Sequence, residues 1–267
     1  MIQFAISGAT GRMGRSIINL AAQKFSGEIV LKGAIEHSAS PHIGQDAGEI
    51  SGSGKSGVII TSNPIEAVEK ADVVIDFSTP EHTLALGHLC EKTGKALVVG
   101  TTGFSAKQRL DLLECAKKIP LIISPNMSPG VNLLFHLTAI AAKALSSWDI
   151  EILEAHHRFK KDAPSGTAVR LKEILLRELQ RSEDNVNYGR KGITGERNEK
   201  EIGVHAIRGG DVVGDHTVYF LSDGERLELT HRAFSRDTFA AGALRAALFL
   251  AGRAPGEYTM RDVLQIG

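Results

Sequence analysis

A short apolar run, a glycine-rich turn and an amphipathic helix open the sequence, and this succession limits its first half to a few folds. IQFAIS, residues 2–7, reads as a buried strand, and the stretch from Gly14 onward has apolar residues at helical spacing. The turn between them, GATGRMG, also contains Gly8 and Gly11. Glycines at such a turn let the backbone bend tightly and let a pyrophosphate approach the first amides of the helix.

The same pattern continues along the first half of the chain. Further strand-like runs lie at 30–36, 57–61, 71–78, 95–103 and 120–126, with helical stretches between most of them. Alternating strands and helices predict an α/β fold with a doubly wound parallel sheet of the Rossmann type. In such sheets, ligands bind at the carboxyl ends of the strands.

The turns that follow these strands supply the predicted cofactor site. Glu36 ends the second run a little over twenty residues after the glycine turn, where a carboxylate can accept hydrogen bonds from ribose hydroxyls. His37 stands where a fixed cation would favour a 2′-phosphate, and histidine is only partly charged near neutral pH, so NAD is modestly favoured and NADP stays open. The predicted cofactor-binding residues are Gly8, Ala9, Thr10, Gly11, Arg12, Met13, Glu36, His37, Phe77, Gly100, Thr101, Thr102, Ser124, Pro125, Asn126 and Met127.

A second glycine-rich stretch does not fit a phosphate site. ISGSGKSGV, residues 50–58, contains Gly-Lys-Ser, but Glu49 stands where a P-loop requires glycine, and the lysine precedes the strand that it should follow. We therefore expect a surface loop here.

Composition excludes several classes of function. Lys plus Arg equal Asp plus Glu at 31 each, so no basic excess favours a nucleic-acid partner. Cys90 and Cys115 lie in stretches with helical spacing, which predicts buried free thiols rather than a disulfide or a metal site. No apolar run approaches the roughly 18 residues of a membrane span. Since the first residues also lack a signal peptide, we expect a cytoplasmic protein without membrane contact.

The pattern changes in the second half of the chain. A long amphipathic helix is predicted over 133–147, and runs rich in β-branched residues from Val204 onward predict a mixed or antiparallel sheet. Residues 237–252 return to helical spacing. We therefore predict a dinucleotide-binding domain over 1–127, completed by 237–267, and a smaller α+β substrate domain over 128–236.

The stretch EAHHRFKKDAPSGTA, residues 154–168, concentrates polar side chains that build no apolar core. On a strand, Glu154 and His156 would face one way and His157 the other, so adjacent histidines make an awkward zinc site and no metal is expected. The Ser-Gly-Thr turn precedes a helical run and offers amides and hydroxyls to a carboxylate, with Lys160 nearby. A solvated charged loop is the alternative, but a reductase needs a proton source, and histidine titrates in the right range.

These residues resemble the signature E-x-x-H-x-x-K-x-D-x-P-S-G-T-A of the 4-hydroxy-tetrahydrodipicolinate reductase (dihydrodipicolinate reductase) family. The resemblance continues through GATGRMG, DFSTPE, GTTGF, SPNMSPGVN, GERLELTHRAFSRDTFAAGAL and MRDVL. It implies NADH- or NADPH-dependent reduction of 4-hydroxy-tetrahydrodipicolinate, a cyclic dicarboxylate, to tetrahydrodipicolinate in the diaminopimelate route of lysine biosynthesis. One departure is His37, where some members carry arginine, and this leaves the cofactor preference open.

The resemblance also implies roles for individual residues. His156 and Lys160 are the expected catalytic residues, and the substrate carboxylates are expected at His157, Lys160, Ser165, Gly166 and Thr167. Family members are typically homotetramers joined through the substrate-domain sheet, with domain closure about a hinge near Ser128 and Arg236.

Two other functions share part of this pattern. Another two-domain NAD-dependent oxidoreductase, such as an aspartate dehydrogenase-like protein, would have the same N-terminal half but no reason to carry HHxxKxDxPSGT. A non-catalytic NAD-sensing regulator would not need His156 and Lys160, and usually carries a DNA- or partner-binding segment that this neutral chain lacks.

Overall fold

The computed structural model describes residues 1–266. The chain forms two compact units. The first unit comprises residues 1–129 and 237–265, and the second comprises residues 130–236. The C-terminal helical segment therefore packs with the N-terminal half of the chain, across an interruption of more than a hundred residues. The division into a dinucleotide-binding domain, residues 1–127 with 237–267, and a substrate domain, residues 128–236, stays a prediction.

The helices and strands follow one another in this order. The first unit begins with β1 (Ile2–Ser7), α1 (Arg12–Lys24), β2 (Ile29–Ile35), α2 (Ala47–Ser51), β3 (Ile60–Thr61), α3 (Pro64–Glu69), β4 (Val73–Asp76), α4 (Pro80–Thr93), β5 (Ala96–Val99), α5 (Ala106–Glu114) and β6 (Pro120–Ile123). The next elements are α6 (Pro129–Ala144), β7 (Asp149–His156), α7 (Gly166–Glu178), β8 (Val186–Asn187), β9 (Ile202–Arg208), β10 (Gly214–Ser222) and β11 (Glu225–Ala233). The chain then continues with α8 (Asp237–Leu250), β12 (Gly256–Tyr258) and α9 (Met260–Leu264).

The first unit is built on a seven-stranded sheet in the order β12-β6-β5-β4-β1-β2-β3. All of its strand pairs are parallel, which confirms the predicted doubly wound sheet. Successive residues of β1 alternate between the two faces: Phe4 and Ile6 pack with α1 and α8, whereas Ala5 packs with α3, α4 and α5. Helices thus cover both faces, as continuous apolar strands require.

Two details of this sheet differ from the sequence-based expectation. The short strand β12 was not predicted, and it extends the sheet beyond β6. The run predicted as a strand over 57–61 forms only the two-residue strand β3, because the Gly57 amide donates to the Asp46 carboxylate and the Val58 carbonyl oxygen accepts from the Ala47 amide, instead of pairing with a neighbouring strand.

Asp46 organises the loop that contains Gly-Lys-Ser. Its carboxylate, only 6% exposed, accepts hydrogen bonds from the amides of Gly48, Glu49, Ser56 and Gly57 and from the hydroxyl of Ser56, at 2.7–3.1 Å. Burial alone would raise the pKa of Asp46, but these hydrogen bonds outweigh it and lower the pKa to about 2. The loop is thus closed around an internal carboxylate, and its residues 54–57 are exposed.

We expect the substitution Asp46→Ala to lower the free energy of unfolding by about 2–4 kcal/mol, because the amides of Gly48, Glu49, Ser56 and Gly57 all lose their carboxylate acceptor. The contribution of the carboxylate is present above its ordinary pKa of 3.8 and is lost as the pH falls towards about 2. Urea denaturation should therefore show a deficit at pH 7 that shrinks below pH 3.8. Glu49→Ala, at an exposed position on the same helix, is the control. An unchanged midpoint for Asp46→Ala would contradict this account.

The second unit contains a five-stranded mixed sheet in the order β11-β10-β7-β9-β8. Strand β10 is antiparallel to both of its neighbours, whereas β7, β9 and β8 are parallel to one another. Alternate residues of β7 are buried, and Ile150 and Ile152 pack in the core formed with α6 and α7. This arrangement confirms the predicted mixed sheet, and it sets the side chains of β7, β9 and β10 side by side.

Candidate active site

The glycine turn after β1 is shaped by close backbone contacts. Gly8 has a φ of +76°, and a Cβ at this position would lie 2.2 Å from the carbonyl oxygen of Phe77. A Cβ at Gly14 would lie 2.2 Å from the carbonyl oxygen of Gly8. Both positions therefore require glycine, since no real Cβ approaches a backbone atom so closely. The turn has the tight form that lets a phosphate group reach the backbone.

The first turn of α1 is suited to an anion. Its N-cap is Gly11, which has no side chain to accept the first amides, and its first turn contains no acidic residue. By contrast, Asn63, Thr79 and Ser105 cap α3, α4 and α5 with their side chains. Amides at the start of a helix carry partial positive charge, so the turn at residues 8–13 can hold a pyrophosphate.

Glu36 lies directly after β2 and faces this turn. Its Oε2 accepts hydrogen bonds from the amide and hydroxyl of Thr10, at 2.9 and 2.6 Å, and its Oε1 accepts one from the amide of His37 at 3.1 Å. Burial would raise the pKa of Glu36, but the hydrogen bonds from Thr10 and His37 outweigh it and lower the pKa. Glu36 is thus held as a carboxylate beside the glycine turn, with lone pairs left for ribose hydroxyls.

The other predicted cofactor residues follow neighbouring strands. The strand order places the turns after β2, β1, β4, β5 and β6 in series along one edge of the sheet. A Cβ at Gly100 would lie 2.1 Å from the Phe77 ring, so this pair packs closely. Met127 is only 2% exposed and its side chain belongs to the core, so this side chain is not placed for contact with a cofactor.

Sequence reasoning missed Asp76, the last residue of β4. Its fully buried carboxylate accepts hydrogen bonds from the hydroxyls of Ser78, Thr83 and Thr101, at 2.6, 2.5 and 2.7 Å. These bonds tie the turn after β4 to the turn after β5. The hydroxyl of Thr101 is therefore engaged within the protein, and its predicted cofactor contact stays a prediction. An acidic residue at the end of an apolar strand was the available signal.

In the second unit, strand β7 places Glu154 and His156 on the same buried face, as the period of a strand requires. His156 Nδ1 lies 2.6 Å from Glu154 Oε2. Since this carboxylate accepts the proton of Nδ1, Nε2 is the nitrogen left for a substrate. Space beside Nε2 depends on Gly214 of β10, where a Cβ would lie 3.0 Å from this atom.

Glu154 is in turn paired with Arg208, the last residue of β9. The two guanidinium nitrogens of Arg208 donate to the two Glu154 oxygens at 2.8 Å each, and one also donates to the carbonyl oxygen of Asp162 at 2.7 Å. The amide of Ser165 donates to Glu154 Oε1 at 3.0 Å. One buried carboxylate therefore holds together β7, β9 and the turn before α7. Sequence reasoning missed Arg208, which lies in a Gly-rich run with no recognisable spacing to Glu154.

The electrostatic environment of this pair is set by burial and by the ion pair. Burial would raise the pKa of Glu154, but hydrogen bonds from Arg208, His156 and Ser165 outweigh it and lower the pKa. Burial also lowers the pKa of His156, while the Glu154 carboxylate opposes this effect and raises it. The Glu154 carboxylate thus stabilises the charged form of His156.

The Ser-Gly-Thr turn begins α7 as predicted. Ser165 is the N-cap, and its hydroxyl accepts a hydrogen bond from the amide of Ala168 at 3.3 Å. Gly166 is exposed and Thr167 is partly exposed, so the turn can be reached from solvent. The ammonium group of Lys160 lies 2.9 Å from the Asp162 carboxylate, and this contact lowers the pKa of Asp162. The amide of Lys160 donates to the carbonyl oxygen of His157 at 3.1 Å.

One other cluster of side chains contains residue types that can ligate a metal. Ligand atoms of His88, Glu91 and Cys115 lie within 4.8 Å of one another. Lys118 already pairs with Glu91 at 2.5 Å, and burial raises the pKa of the Cys115 thiol to about 11. A cation would have to displace the lysine and deprotonate the thiol, so the cluster is a poor metal site.

Both cysteines are free and buried, as predicted. Among the helices of residues 1–266, none has the length and apolar character needed to cross a membrane.

Comparison with known proteins gives consistent matches over both units. Residues 2–127 match the family model for the N-terminal part of dihydrodipicolinate reductase, and residues 130–264 match that for its C-terminal part. A 4-hydroxy-tetrahydrodipicolinate reductase of Hahella chejuensis is 51% identical over 269 residues, covering 99% of both chains. One of Myxococcus xanthus is 49% identical, covering 99% of this chain and 98% of its own.

Solved structures share the fold. A dipicolinate-bound dihydrodipicolinate reductase from Paenisporosarcina superposes with a TM-score of 0.77 over 97% of both chains, at 23% identity. An amine dehydrogenase from Mycobacterium smegmatis superposes with a TM-score of 0.60 over 97% of this chain and 95% of its own, at 13% identity. At these identities the likeness establishes the architecture alone.

Proposed function

Because the chain belongs to the dihydrodipicolinate reductase family, we propose that it reduces 4-hydroxy-tetrahydrodipicolinate to tetrahydrodipicolinate with NADH or NADPH, in the diaminopimelate route of lysine biosynthesis. The observation that carries this proposal is the hydrogen-bonded set Glu154, His156, Arg208 and Ser165 in the second unit. A purely structural loop would not need a histidine oriented by a buried carboxylate beside an accessible helix N-terminus. An aspartate dehydrogenase-like function has no comparable support, since the full-length relatives reported above are all reductases of this family.

The residues of the first unit fit a nicotinamide dinucleotide. Gly8, Gly11 and Gly14 keep the backbone open for the pyrophosphate at the start of α1, and Glu36 accepts the adenosine ribose hydroxyls. The turns after β4, β5 and β6 line the remainder of the same sheet edge. When bound, the reduced nicotinamide supplies the hydride.

The residues of the second unit bind the dicarboxylate. The amides of Gly166 and Thr167 and the hydroxyls of Ser165 and Thr167, at the start of α7, donate to one substrate carboxylate, and Lys160 and His157 add donors from the preceding turn. The Lys160 ammonium is paired with Asp162, whose side chain is 63% exposed. A substrate carboxylate therefore competes with a solvated partner rather than a buried one, so exchange costs little.

The proton is supplied by the same region. His156 presents Nε2 while Glu154 holds Nδ1, so the ring can act as an acid or base through one defined nitrogen. The 4-hydroxyl group of the substrate leaves as water, and Lys160 donates a proton to the nitrogen or carbon centre that becomes basic as the ring accepts the hydride.

The direct test is a spectrophotometric assay of NADH and NADPH oxidation, with substrate made in situ from pyruvate and aspartate semialdehyde by the condensing enzyme. We expect substrate-dependent oxidation that pyridine-2,6-dicarboxylate inhibits competitively with the substrate. An enzyme that oxidises NADH with an oxo acid and ammonia, but not with this substrate, would refute the proposal in favour of a dehydrogenase of the amino-acid class.

The cofactor preference can be tested at His37. This side chain is 69% exposed and lies beside Glu36, where a 2′-phosphate would stand. Replacing it with arginine supplies a permanent cation with bidentate donors, and we expect kcat/KM for NADPH relative to NADH to rise by about tenfold. His37→Gln, which removes the partial charge, should lower the NADPH rate and leave the NADH rate unchanged. If the ratio of kcat/KM for NADPH to that for NADH is the same in the unmutated protein and in both variants, His37 does not determine the cofactor preference.

The assembly and the compartment are part of the same proposal. We infer a homotetramer joined through the second sheet, whose face opposite α6 and α7 presents the partly exposed Leu153, Tyr219 and Leu221 and the half-exposed Ile207. Light scattering should then give the mass of four chains of 28.6 kDa. Two unpaired thiols and a reduced nicotinamide suit a reducing compartment, and we place the enzyme in the cytoplasm.

A further inference from the structure

A second buried histidine lies beside the proposed acid–base residue and has no role in the reaction described above. His216, on β10, is only 3% exposed. Its Nε2 lies 3.0 Å from the hydroxyl oxygen of Ser165, and its Nδ1 has no hydrogen-bond partner within residues 1–266. Its ring meets that of His156 edge to face, with 5.1 Å between the ring centres. A buried imidazole with one engaged and one orphaned nitrogen needs an explanation.

The hydrogen bond between His216 and Ser165 has two forms that differ in what they leave for a ligand. If the proton lies on Nδ1, the Ser165 hydroxyl must donate to Nε2, and only oxygen lone pairs then face the helix N-terminus. If the proton lies on Nε2, the imidazole donates to Ser165, and the hydroxyl hydrogen is free to point outward. The first form also buries an N–H donor without an acceptor, which proteins rarely tolerate.

A bound carboxylate separates these forms further. A carboxylate accepts hydrogen bonds and donates none, so it is matched only by a serine that presents its hydrogen. The Ser165 oxygen, which also accepts from the Ala168 amide at 3.3 Å, is then fixed from two sides. The result is a chain of donors running from His216 Nε2 through the Ser165 hydroxyl to the carboxylate.

We propose that His216 is a positioning residue for substrate binding, which donates from Nε2 to Ser165 and thereby makes the Ser165 hydroxyl a donor to a substrate carboxylate. This rests on the proposed function, since it concerns the same carboxylate site. It assigns different tasks to the two neighbouring histidines. His156 has a carboxylate behind it and can take up charge, whereas His216 serves as a neutral donor.

The surroundings of His216 keep it neutral. Burial, together with the charge of His156, lowers the pKa of His216 to about 3. A second cation beside His156 would oppose its protonation, so a neutral His216 is compatible with acid catalysis by His156. The carboxylate of Glu154 raises the pKa of His216, but its charge is already paired with Arg208.

Two amide substitutions of different length test the proposal. His216→Gln can place an amide N–H near the position of imidazole Nε2, whereas the side chain of His216→Asn ends too far from Ser165. We expect His216→Asn to raise KM for the substrate and the inhibition constant of pyridine-2,6-dicarboxylate by about fivefold or more, with kcat within about threefold. His216→Gln should recover most of this loss. His88→Asn, at an exposed position on α4, is the histidine control.

A double-mutant cycle with Ser165→Ala makes the test specific. If His216 acts through the Ser165 hydroxyl, His216→Asn should have almost no further effect on the inhibition constant in the Ser165→Ala background. An undiminished effect in that background, or wild-type constants in His216→Asn, would overturn the proposal. Neutron diffraction of the unmutated protein with bound pyridine-2,6-dicarboxylate should locate the proton on Nε2, and a proton on Nδ1 would also overturn it. If the unmutated protein neither turns over the substrate nor binds the dicarboxylate, the proposed function itself has failed.

Discussion

Replacing Lys160 with alanine should reduce turnover by about two orders of magnitude or more, while NADH binding stays nearly unchanged. The ammonium group of Lys160 is held 2.9 Å from Asp162, in the turn that follows His157, and its side chain is only 20% exposed. Its removal takes away both a proton donor and a charge that binds carboxylate. The cofactor residues lie in the other unit of the chain, so fluorescence titration with NADH should give an unchanged dissociation constant.

The neighbouring residue provides the control for this substitution. Lys161→Ala removes the same charge from the same turn, but Lys161 is exposed and lies outside the family signature. It should retain most of its activity. A Lys160→Ala variant that keeps most of its turnover would remove Lys160 from the proposed mechanism, and a loss shared equally by both variants would indicate a general effect of charge.

Replacing Glu154 with glutamine should lower kcat by about a hundredfold or more, because the amide cannot hold His156 in the required form. The carboxylate accepts the Nδ1 proton at 2.6 Å and raises the pKa of His156 against the effect of burial. In the variant, burial still lowers the pKa of His156, and no carboxylate opposes this effect. Activity that depends on protonated His156 is present below its pKa and lost above it, so the loss should move to lower pH. The pH dependence of kcat/KM measures this shift.

The effect on stability can be separated from the effect on His156. Glu154→Gln also leaves Arg208 without its counter-charge, and an unpaired charge near the core is destabilising. The double variant Glu154→Gln with Arg208→Gln removes both charges. We expect it to regain much of the thermal stability but little of the activity. If activity returns together with stability, Glu154 acts through folding alone and does not orient His156.

The first unit was largely predictable because its pattern is local. A parallel strand buried on both faces appears as a short apolar run, and the helix that follows has its own spacing, so β1, β2, β4, β5 and β6 were all found. The glycine turn could be interpreted for the same reason, since its steric demand arises within a few residues. Strand β12 was not predicted, because a hydrophobic pattern cannot be recognised in only three residues, Gly256–Tyr258.

The site in the second unit was predictable only in part. Glu154 and His156 were assigned to one face from the period of a strand, and Ser165 was assigned to a helix start from its sequence neighbours. Neither Arg208 nor His216 was found. They lie 54 and 51 residues from the groups they contact, and no periodicity links such distant positions.

The sequence by itself determined the candidate residues for the chemistry: the glycines of the first turn, Glu36, and the His156 to Thr167 stretch. The glycine turn and the shared face of Glu154 and His156 follow from steric and periodic rules that act between near neighbours, whereas the roles proposed within the second stretch come from the family resemblance. Only the tertiary structure decided which side chains support the residues of the second unit through hydrogen bonds. The strand order β11-β10-β7-β9-β8 brings β9 and β10 to either side of β7. Strand order depends on the packing of the whole sheet, and it is this packing that sets Arg208 against Glu154 and His216 against Ser165.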